Sequence, residues 1–142
     1  MGKFLTKLRI ERIDHSLYEL TEPFIYLSDT VGIIIVPKGF KTDFASVPRL
    51  PFIYWFFGGL GDEEAVIHDY LYTKPHQTGT GLFVTRVIAD KIFRGARYSC
   101  DRIDLDQYEK VTPINLLKNS WAYIGAWCMW VGVRCFGWRH WN

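Results

Sequence analysis

The first forty residues show the patterns of β-strands. Apolar side chains stand among charged ones at the start of the chain, and two β-rich runs, Phe24–Ser28 and residues 31–36, flank a short polar turn at residues 29–30. Two such runs around a short polar turn predict a β-hairpin. The segment that follows, FKTDFASVPR at residues 40–49, is rich in turn residues and is predicted to be an ordered loop.

A helical pattern begins at Asp62. This residue is a good N-cap, and Glu63 and Glu64 place negative charge in the first turn, where the helix dipole favours it. No helix breaker occurs before Pro75. These signals predict a first helix over residues 62–73.

Two more helices are predicted in the second half of the chain. Apolar residues recur with a helical period over residues 82–98, after a polar loop at residues 76–81. If the link between the first two helices is short, the second helix is expected to run antiparallel to the first. Residues 101–112 are predicted to form a polar helix or a loop. The last predicted helix covers residues 113–136 and is aromatic on much of its surface.

These elements predict a single α+β domain over residues 1–142, with a small N-terminal β-hairpin or sheet, an antiparallel helical pair and a C-terminal aromatic-rich helix. The chain has 142 residues, 49% of them hydrophobic, which suffices for one compact core but not comfortably for two. No internal repeat or interdomain linker interrupts the pattern.

The charges and cysteines argue against several classes of function. The net charge is only +2 and the basic residues are scattered in mixed pairs, so no nucleic-acid partner is expected. The three cysteines form an odd set without CxxC spacing. They indicate neither a disulfide framework nor a zinc knuckle, and a reducing compartment fits them best.

Neither a signal peptide nor a full transmembrane helix is expected. Charged residues interrupt the first twelve positions, so no hydrophobic stretch of signal-peptide length is left. The apolar run at residues 121–133 stops at Arg134, short of the roughly 18 to 20 residues that a bilayer span needs. The aromatic content of 17% instead favours a membrane surface or a protein partner.

One stripe of the first predicted helix carries candidate chemistry. Positions three and four apart share a helix face, so one predicted stripe has four members, Ala65, His68, Asp69 and Tyr72. Asp90 can face them from the second helix. A carboxylate that holds an imidazole fixes its tautomer and makes it a general base. Ala65 leaves room for a substrate or a metal, and Asp69 could hold a cation that polarises a carbonyl.

At these residues the chain resembles the phospholipase A2 superfamily, especially the parvoviral capsid form, whose helix signature is D-x-x-A-x-x-H-D-x-x-Y. The residues at those spacings are Asp62, Ala65, His68, Asp69 and Tyr72. The parvoviral form continues with an A-D-x-x-F segment on the partner helix, which Ala89, Asp90 and Phe93 supply here. The resemblance covers about residues 58–96.

The resemblance implies a mechanism and a cofactor. His68 would activate a water molecule, and Asp90 would orient His68. Asp69 would bind Ca²⁺, and Tyr72 would hydrogen-bond Asp90. The reaction would be hydrolysis of a phospholipid acyl ester. The family's calcium loop has a Tyr-x-Gly-x-Gly character and lies further upstream of the histidine than the glycines of this chain, whose carbonyls could still face Asp69: Gly58, Gly59 and Gly61.

A second resemblance spans roughly residues 30–100. Its blocks are G-F at 39–40, T-D at 42–43, A-S-V-P-R at 45–49, H-D-Y-L-Y at 68–72 and A-D at 89–90. On these blocks the chain is identified as a member of an uncharacterised phage and bacterial family, domain of unknown function number thirteen fifty-three. Membership implies a phage or prophage origin and supplies no established activity. Because neither a signal peptide nor a full transmembrane helix is expected, the expected location is the host cytoplasm or the virion.

Plainer interpretations exist for the same residues. His68 and Asp90 could be a buried pair that only ties two helices together. Asp43 and Ser46 are most simply turn residues bonded to nearby backbone amides. Alternatively, Asp43 adds a metal ligand, or Ser46 is a nucleophile served by the histidine and aspartate. Arg49 could receive a phosphate or carboxylate through its planar fork.

The leading hypothesis is a phage-encoded hydrolase of phospholipase A2 type, with a membrane surface as its partner. One alternative is a non-enzymatic phage accessory or virion protein that docks on a phage or host protein through its tryptophan-rich helix. Another is a metal-dependent cell-wall hydrolase that uses Asp43, His68 and Asp69.

Overall fold

Strands occupy the N-terminal part of the chain and helices the rest. The computed structural model describes residues 2–44, 62–73, 83–101 and 113–136. The strands in these segments are β1 (Lys3–Phe4), β2 (Ile10–Arg12), β3 (Tyr18–Leu20), β4 (Phe24–Ser28), β5 (Gly32–Val36) and β6 (Lys41–Thr42). The helices are α1 (Asp62–Thr73), α2 (Arg86–Asp101) and α3 (Pro113–Phe136). The predicted α+β class is confirmed.

The described strands form two antiparallel sheets. The first has the order β1-β4-β5 and the second the order β2-β3-β6. In the first sheet, Phe24 lies opposite Val36 and Ser28 opposite Gly32, so the predicted hairpin is confirmed. The prediction of a loop over residues 40–49 is wrong at its start, because residues 41–42 form β6, which pairs with β3. Nothing in the local sequence signals that pairing, since β3 and β6 are distant in the chain.

Burial alternates along the hairpin, as a half-buried sheet requires. The inward side chains of β4 and β5 are fully or almost fully buried, and they are Phe24, Tyr26, Ile34 and Val36. The side chains between them are partly or largely exposed on the opposite face. The first sheet therefore contributes one face to the core and presents the other to solvent.

The helix bounds follow local capping signals. Both α1 and α3 cover the residues predicted for them. In contrast, α2 begins at Arg86 and ends at Asp101, later at both ends than predicted. Thr85 sets the start, because its carbonyl accepts a hydrogen bond from Ala89 N at 2.9 Å and its hydroxyl one from Ile88 N at 3.4 Å.

Each of the three helices packs antiparallel to its neighbour in the chain. Between α1 and α2 the side-chain contacts run in opposite order along the chain, as Glu64 with Arg97, His68 with Asp90 and Tyr72 with Arg86. Between α2 and α3 the same reversal appears, as Asp90 with Arg134, Arg94 with Trp127 and Tyr98 with Tyr123. The predicted antiparallel helical pair is therefore present, and α2 is the central helix.

A shared core joins the strands to the helices. Contacts link α1 to β5 and β6, and α2 to β1 and β4. The buried side chains of this core include Leu20, Tyr26, Ile34, Ile67, Leu71, Ala89, Phe93 and Val133. Among the described residues, no helix is both long enough and apolar enough to cross a lipid bilayer.

Neighbouring isoleucines on β5 provide a matched test of this packing. Ile34 has 0% of its surface exposed and Ile35 has 42%. We expect Ile34→Ala to lower the free energy of unfolding by about 2 to 4 kcal/mol, because it removes packed methyl groups and leaves a cavity. Ile35→Ala removes the same atoms from the solvent face and should cost less than about 1 kcal/mol. Urea unfolding of both variants measures the difference, and equal losses would contradict the assigned faces.

Candidate functional site

His68 on α1 and Asp90 on α2 form a buried pair. The distance from His68 Nε2 to Asp90 Oδ1 is 3.1 Å, and both side chains have 0% of their surface exposed. The rings of Tyr72 and Phe93 flank the imidazole, with centroids 4.0 and 5.0 Å from its own. The helical spacing that suggested the pair therefore does bring its members together, in a closed environment.

The state of Asp90 fixes the tautomer of His68. Burial raises the pKa of Asp90, but hydrogen bonds from His68, Tyr72 and Arg134 outweigh it and hold the pKa below its usual value. Asp90 is therefore ionised at neutral pH and can only accept hydrogen bonds. Nε2 of a neutral His68 must then carry the proton, which leaves Nδ1 as the basic nitrogen.

Tyr72 is a second donor to the same carboxylate oxygen. Its hydroxyl lies one helical turn after His68 and donates to Asp90 Oδ1 at 2.5 Å. Burial and the neighbouring carboxylate raise the pKa of Tyr72 far above its ordinary value, so the hydroxyl stays protonated. Tyr72 is thus a fixed neutral donor that holds Asp90 in place.

Two arginines complete the surroundings of Asp90. Arg134 Nη1, from the last turn of α3, donates to Asp90 Oδ2 at 2.9 Å. Arg86 Nε lies 3.8 Å from the same oxygen and 3.4 Å from the Tyr72 hydroxyl. We call His68, Tyr72, Arg86, Asp90 and Arg134 the Asp90 junction.

Sequence reasoning missed both arginines. Arg86 precedes Asp90 by four positions on one helix, a spacing that the sequence does show. Arg134 carries no such signal, because 44 positions separate it from Asp90.

Asp69 faces a different part of the fold. The Thr42 hydroxyl of β6 donates to Asp69 Oδ2, and the same hydroxyl accepts a hydrogen bond from Phe44 N at 3.2 Å. Asp69 is buried, although it was predicted to hold a cation. Phe44 has a φ of 56°, an uncommon backbone conformation for a bulky residue, and its ring packs 5.2 Å from that of Tyr18. Asp69 therefore helps to hold a strained turn against α1.

The remaining predicted site residues are placed as follows. Ala65 is fully buried in the core. Asp43 is exposed beside Thr42. Several predicted residues lie outside the described part of the chain, namely Ser46, Arg49, Gly58, Gly59 and Gly61. Within residues 2–44, 62–73, 83–101 and 113–136, no three His, Cys, Asp or Glu side chains form a group that could hold a metal ion. Asp43, His68 and Asp69, all among those residues, thus do not form a three-ligand site.

A second buried ion pair lies elsewhere between α1 and α2. Arg97 Nη1 donates to Glu64 Oε1 at 2.8 Å, and the Cys100 thiol lies 3.4 Å from Glu64 Oε2. Burial and the nearby carboxylates raise the pKa of Cys100, which keeps the thiol protonated and unreactive. This cluster links the two helices and brings no nucleophile to the Asp90 junction.

The pKa of Asp90 predicts a pH-dependent contribution to stability. A carboxylate whose pKa is lowered on folding stabilises the fold above its unfolded pKa of about 4 and loses that effect as the pH falls through the lowered value. We expect Asp90→Asn to cost about 3 kcal/mol at neutral pH, because an uncharged amide loses the charge-assisted hydrogen bonds that the buried carboxylate accepts. The difference from wild type should shrink below about pH 4.

Urea unfolding over a pH series measures this effect. The matched control is Asp14→Asn, which removes the same charge from an exposed turn and should change stability by less than about 0.5 kcal/mol. A cost for Asp90→Asn that stays constant with pH would contradict the role given to the ionised carboxylate.

Comparison with known proteins identifies the family but no activity. The sequence profile of a family described as "Protein of unknown function (DUF1353)" matches residues 18–105, which includes β3 to α2 and all of the Asp90 junction except Arg134. Neither a curated protein nor a solved structure matches the chain. The phospholipase A2 resemblance thus stays a hypothesis. The match covers more than half of the sequence, so the chain belongs to the DUF1353 family.

Proposed function

We propose that this protein is a hydrolase of phospholipase A2 type, encoded by a phage or prophage, with His68 as the general base. One observation supports the proposal above the others, the contact of His68 Nε2 with the ionised Asp90. A carboxylate in this position fixes the tautomer and stabilises the imidazolium that forms when the ring takes a proton. Tyr72 holds the carboxylate in that orientation.

The proposed reaction begins with proton transfer from water to Nδ1 of His68. The water oxygen forms a bond to the carbonyl carbon of an acyl ester, and the carbonyl electron pair moves to its oxygen. When this intermediate collapses, the carbon–oxygen bond of the ester breaks, and the leaving alkoxide takes the proton back from Nδ1. The products are a fatty acid and a lysophospholipid, and His68 returns to its neutral form.

Activity of this kind requires an opening step. His68 and Asp90 are fully buried, so water and an ester reach Nδ1 only when the groups that cover the ring move apart. Motions that open and close active sites take microseconds to milliseconds and limit turnover in many enzymes.

Calcium enters the proposal only as a condition of the assay. In the described part of the chain, Asp69 is the single predicted calcium ligand, and its Oδ2 already accepts a hydrogen bond from Thr42. A calcium site needs six or more oxygen ligands, so one engaged carboxylate does not form it. The carbonyls of Gly58, Gly59 and Gly61 would have to supply the others, and no step above depends on the ion.

Release of fatty acid from mixed phospholipid vesicles tests the proposal. We expect release by the wild-type protein, measured with calcium and with chelator, and a loss of about 100-fold or more in His68→Gln, because the base is removed. His15→Gln is the matched control, since His15 is exposed in the turn between β2 and β3.

The controls separate catalysis from folding. His15→Gln should release fatty acid at the wild-type rate, and the circular dichroism spectrum of His68→Gln should match that of wild type. Absence of release by folded wild-type protein in both metal conditions would refute the hydrolase proposal. Equal rates for wild type and His68→Gln would point to a contaminating lipase and refute it as well.

An exposed apolar face on α3 favours a second candidate function. Leu117, Trp121, Ile124 and Val131 lie on one side of this helix and are exposed, Trp121 with 56% of its surface. Exposed apolar faces of this kind mark interaction sites. The second candidate is a non-enzymatic phage accessory or virion protein that docks through α3 and uses the Asp90 junction only for packing.

Binding to purified particles of the encoding phage tests the second candidate. We expect Ile124→Lys to weaken co-sedimentation by about tenfold or more, because it places a charge in the centre of the apolar face. The control is Ile33→Lys, which puts the same charge on the exposed face of β5. Equal binding by wild type and both variants would contradict docking through α3.

A further inference from the structure

The last turn of α3 and the first turn of α2 hold each other by reciprocal contacts. Arg86 Nη2 donates to the carbonyl oxygens of Val133 at 3.3 Å and Arg134 at 2.7 Å, near the C-terminus of α3. A guanidinium is favourable there because the last carbonyls of a helix lack backbone partners and carry partial negative charge. In return, Arg134 reaches Asp90, one turn after Arg86.

We propose that Arg134 is a positioning residue for the His68–Asp90 pair, and that the final turn of α3 is therefore part of the functional site. The proposal rests on the function proposed above only where it predicts catalytic rates. Its structural part, that Arg134 sets the geometry of the pair, stands without any activity.

The two carboxylate oxygens of Asp90 have partners on different helices, which supports this assignment. Oδ1 accepts hydrogen bonds from His68 and Tyr72 of α1, whereas Oδ2 accepts the one from Arg134. A carboxylate held at both oxygens cannot rotate about its Cβ–Cγ bond without breaking a charge-assisted hydrogen bond. Arg86 Nε, at 3.8 Å, is beyond hydrogen-bond distance of Oδ2 and cannot replace Arg134 in this role.

The position of the Arg134 side chain also argues for a specific role. It is 34% exposed, while the carboxylate it contacts is fully buried. An arginine at a helix end commonly extends into water, where it is well solvated. Arg134 instead donates a hydrogen bond to the buried carboxylate of Asp90. The C-terminus of α3 does not need it, since Arg86 already binds the carbonyls there.

The test compares three variants of the full chain. Arg134→Met keeps the aliphatic stem and removes the charge and the donors, whereas Arg134→Lys keeps the charge. Lys118→Met is the matched control, because it removes an exposed positive charge from the same helix far from Asp90. Circular dichroism establishes the temperature range in which each variant is folded, and all other measurements are made there.

The first measurement is the NMR signal of the proton on His68 Nε2, assigned by its absence in His68→Gln. We expect this signal to shift or broaden in Arg134→Met, because the carboxylate that accepts the proton is no longer fixed. It should return towards its wild-type position in Arg134→Lys and stay unchanged in Lys118→Met. A signal that is the same in Arg134→Met and wild type overturns the proposal.

The second measurement is the rate of ester hydrolysis. Loss of a residue that orients a catalytic group typically costs about 10- to 100-fold, so we expect kcat of Arg134→Met to fall by that factor while KM stays nearly constant. Arg134→Lys should recover part of kcat. A fall in kcat equal to that of Lys118→Met overturns the catalytic part of the proposal.

The two measurements separate this proposal from the proposed function. If wild-type protein hydrolyses no ester, the hydrolase proposal fails, and the NMR comparison still decides whether Arg134 positions the pair. If the wild type is active and the NMR signal does not respond to Arg134→Met, the hydrolase proposal stands and the positioning role is overturned.

Discussion

The full burial of the Asp90 carboxylate is the constraint on which the helical half of this structure depends. A buried negative charge is costly unless hydrogen bonds and positive charges compensate for its lost hydration. Here one oxygen is satisfied from α1 and the other from α3, with Arg86 of α2 nearby. The three helices must therefore meet at this carboxylate. A change in the packing of any of them exposes the charge to water or leaves it without a hydrogen-bond partner.

The sequence could predict the features that depend on neighbouring residues. The bounds of α1 follow from Asp62 as N-cap and from the breaker after it, and the hairpin of β4 and β5 follows from two runs around a short turn. The meeting of His68 with Asp90 was also predictable, because each lies on a predicted helix and the two helices follow one another in the chain. Each of these features is encoded within a few turns or strands of the chain.

Most of the features that sequence reasoning missed depend on distant residues, although Arg86 lies only four positions before Asp90. Pairing of β6 with β3 joins segments that no local pattern connects. The Thr42 hydroxyl meets Asp69 across 27 positions, and Arg134 meets Asp90 across 44. In each case the donor is an ordinary polar residue on its own element, and only tertiary packing gives it a buried carboxylate as a partner. The predicted start of α2 failed for a different reason, because the capping residue Thr85 follows apolar residues that fit a helical period.

For a histidine and aspartate pair, a fixed orientation favours catalysis, whereas full burial prevents a substrate from reaching the histidine. The contacts that fix the tautomer of His68 are those expected of a general base, and the same contacts, fully enclosed, are those of a structural junction. The distinguishing property is access to Nδ1, because the Asp90 junction occupies the other ring nitrogen, Nε2.

The segment that matches the family ends before α3, yet the carboxylate within that segment takes one of its hydrogen bonds from α3. Residues 18–105 contain His68, Tyr72, Arg86 and Asp90, but among these residues Asp90 Oδ2 has only the longer contact with Arg86 Nε, at 3.8 Å. What α3 adds is a direct charge-assisted hydrogen bond to this oxygen, beside the longer ion pair. The last helix therefore supplies a contact that the family segment does not make by itself, and its exposed apolar face places any partner that docks there one helix away from the buried histidine.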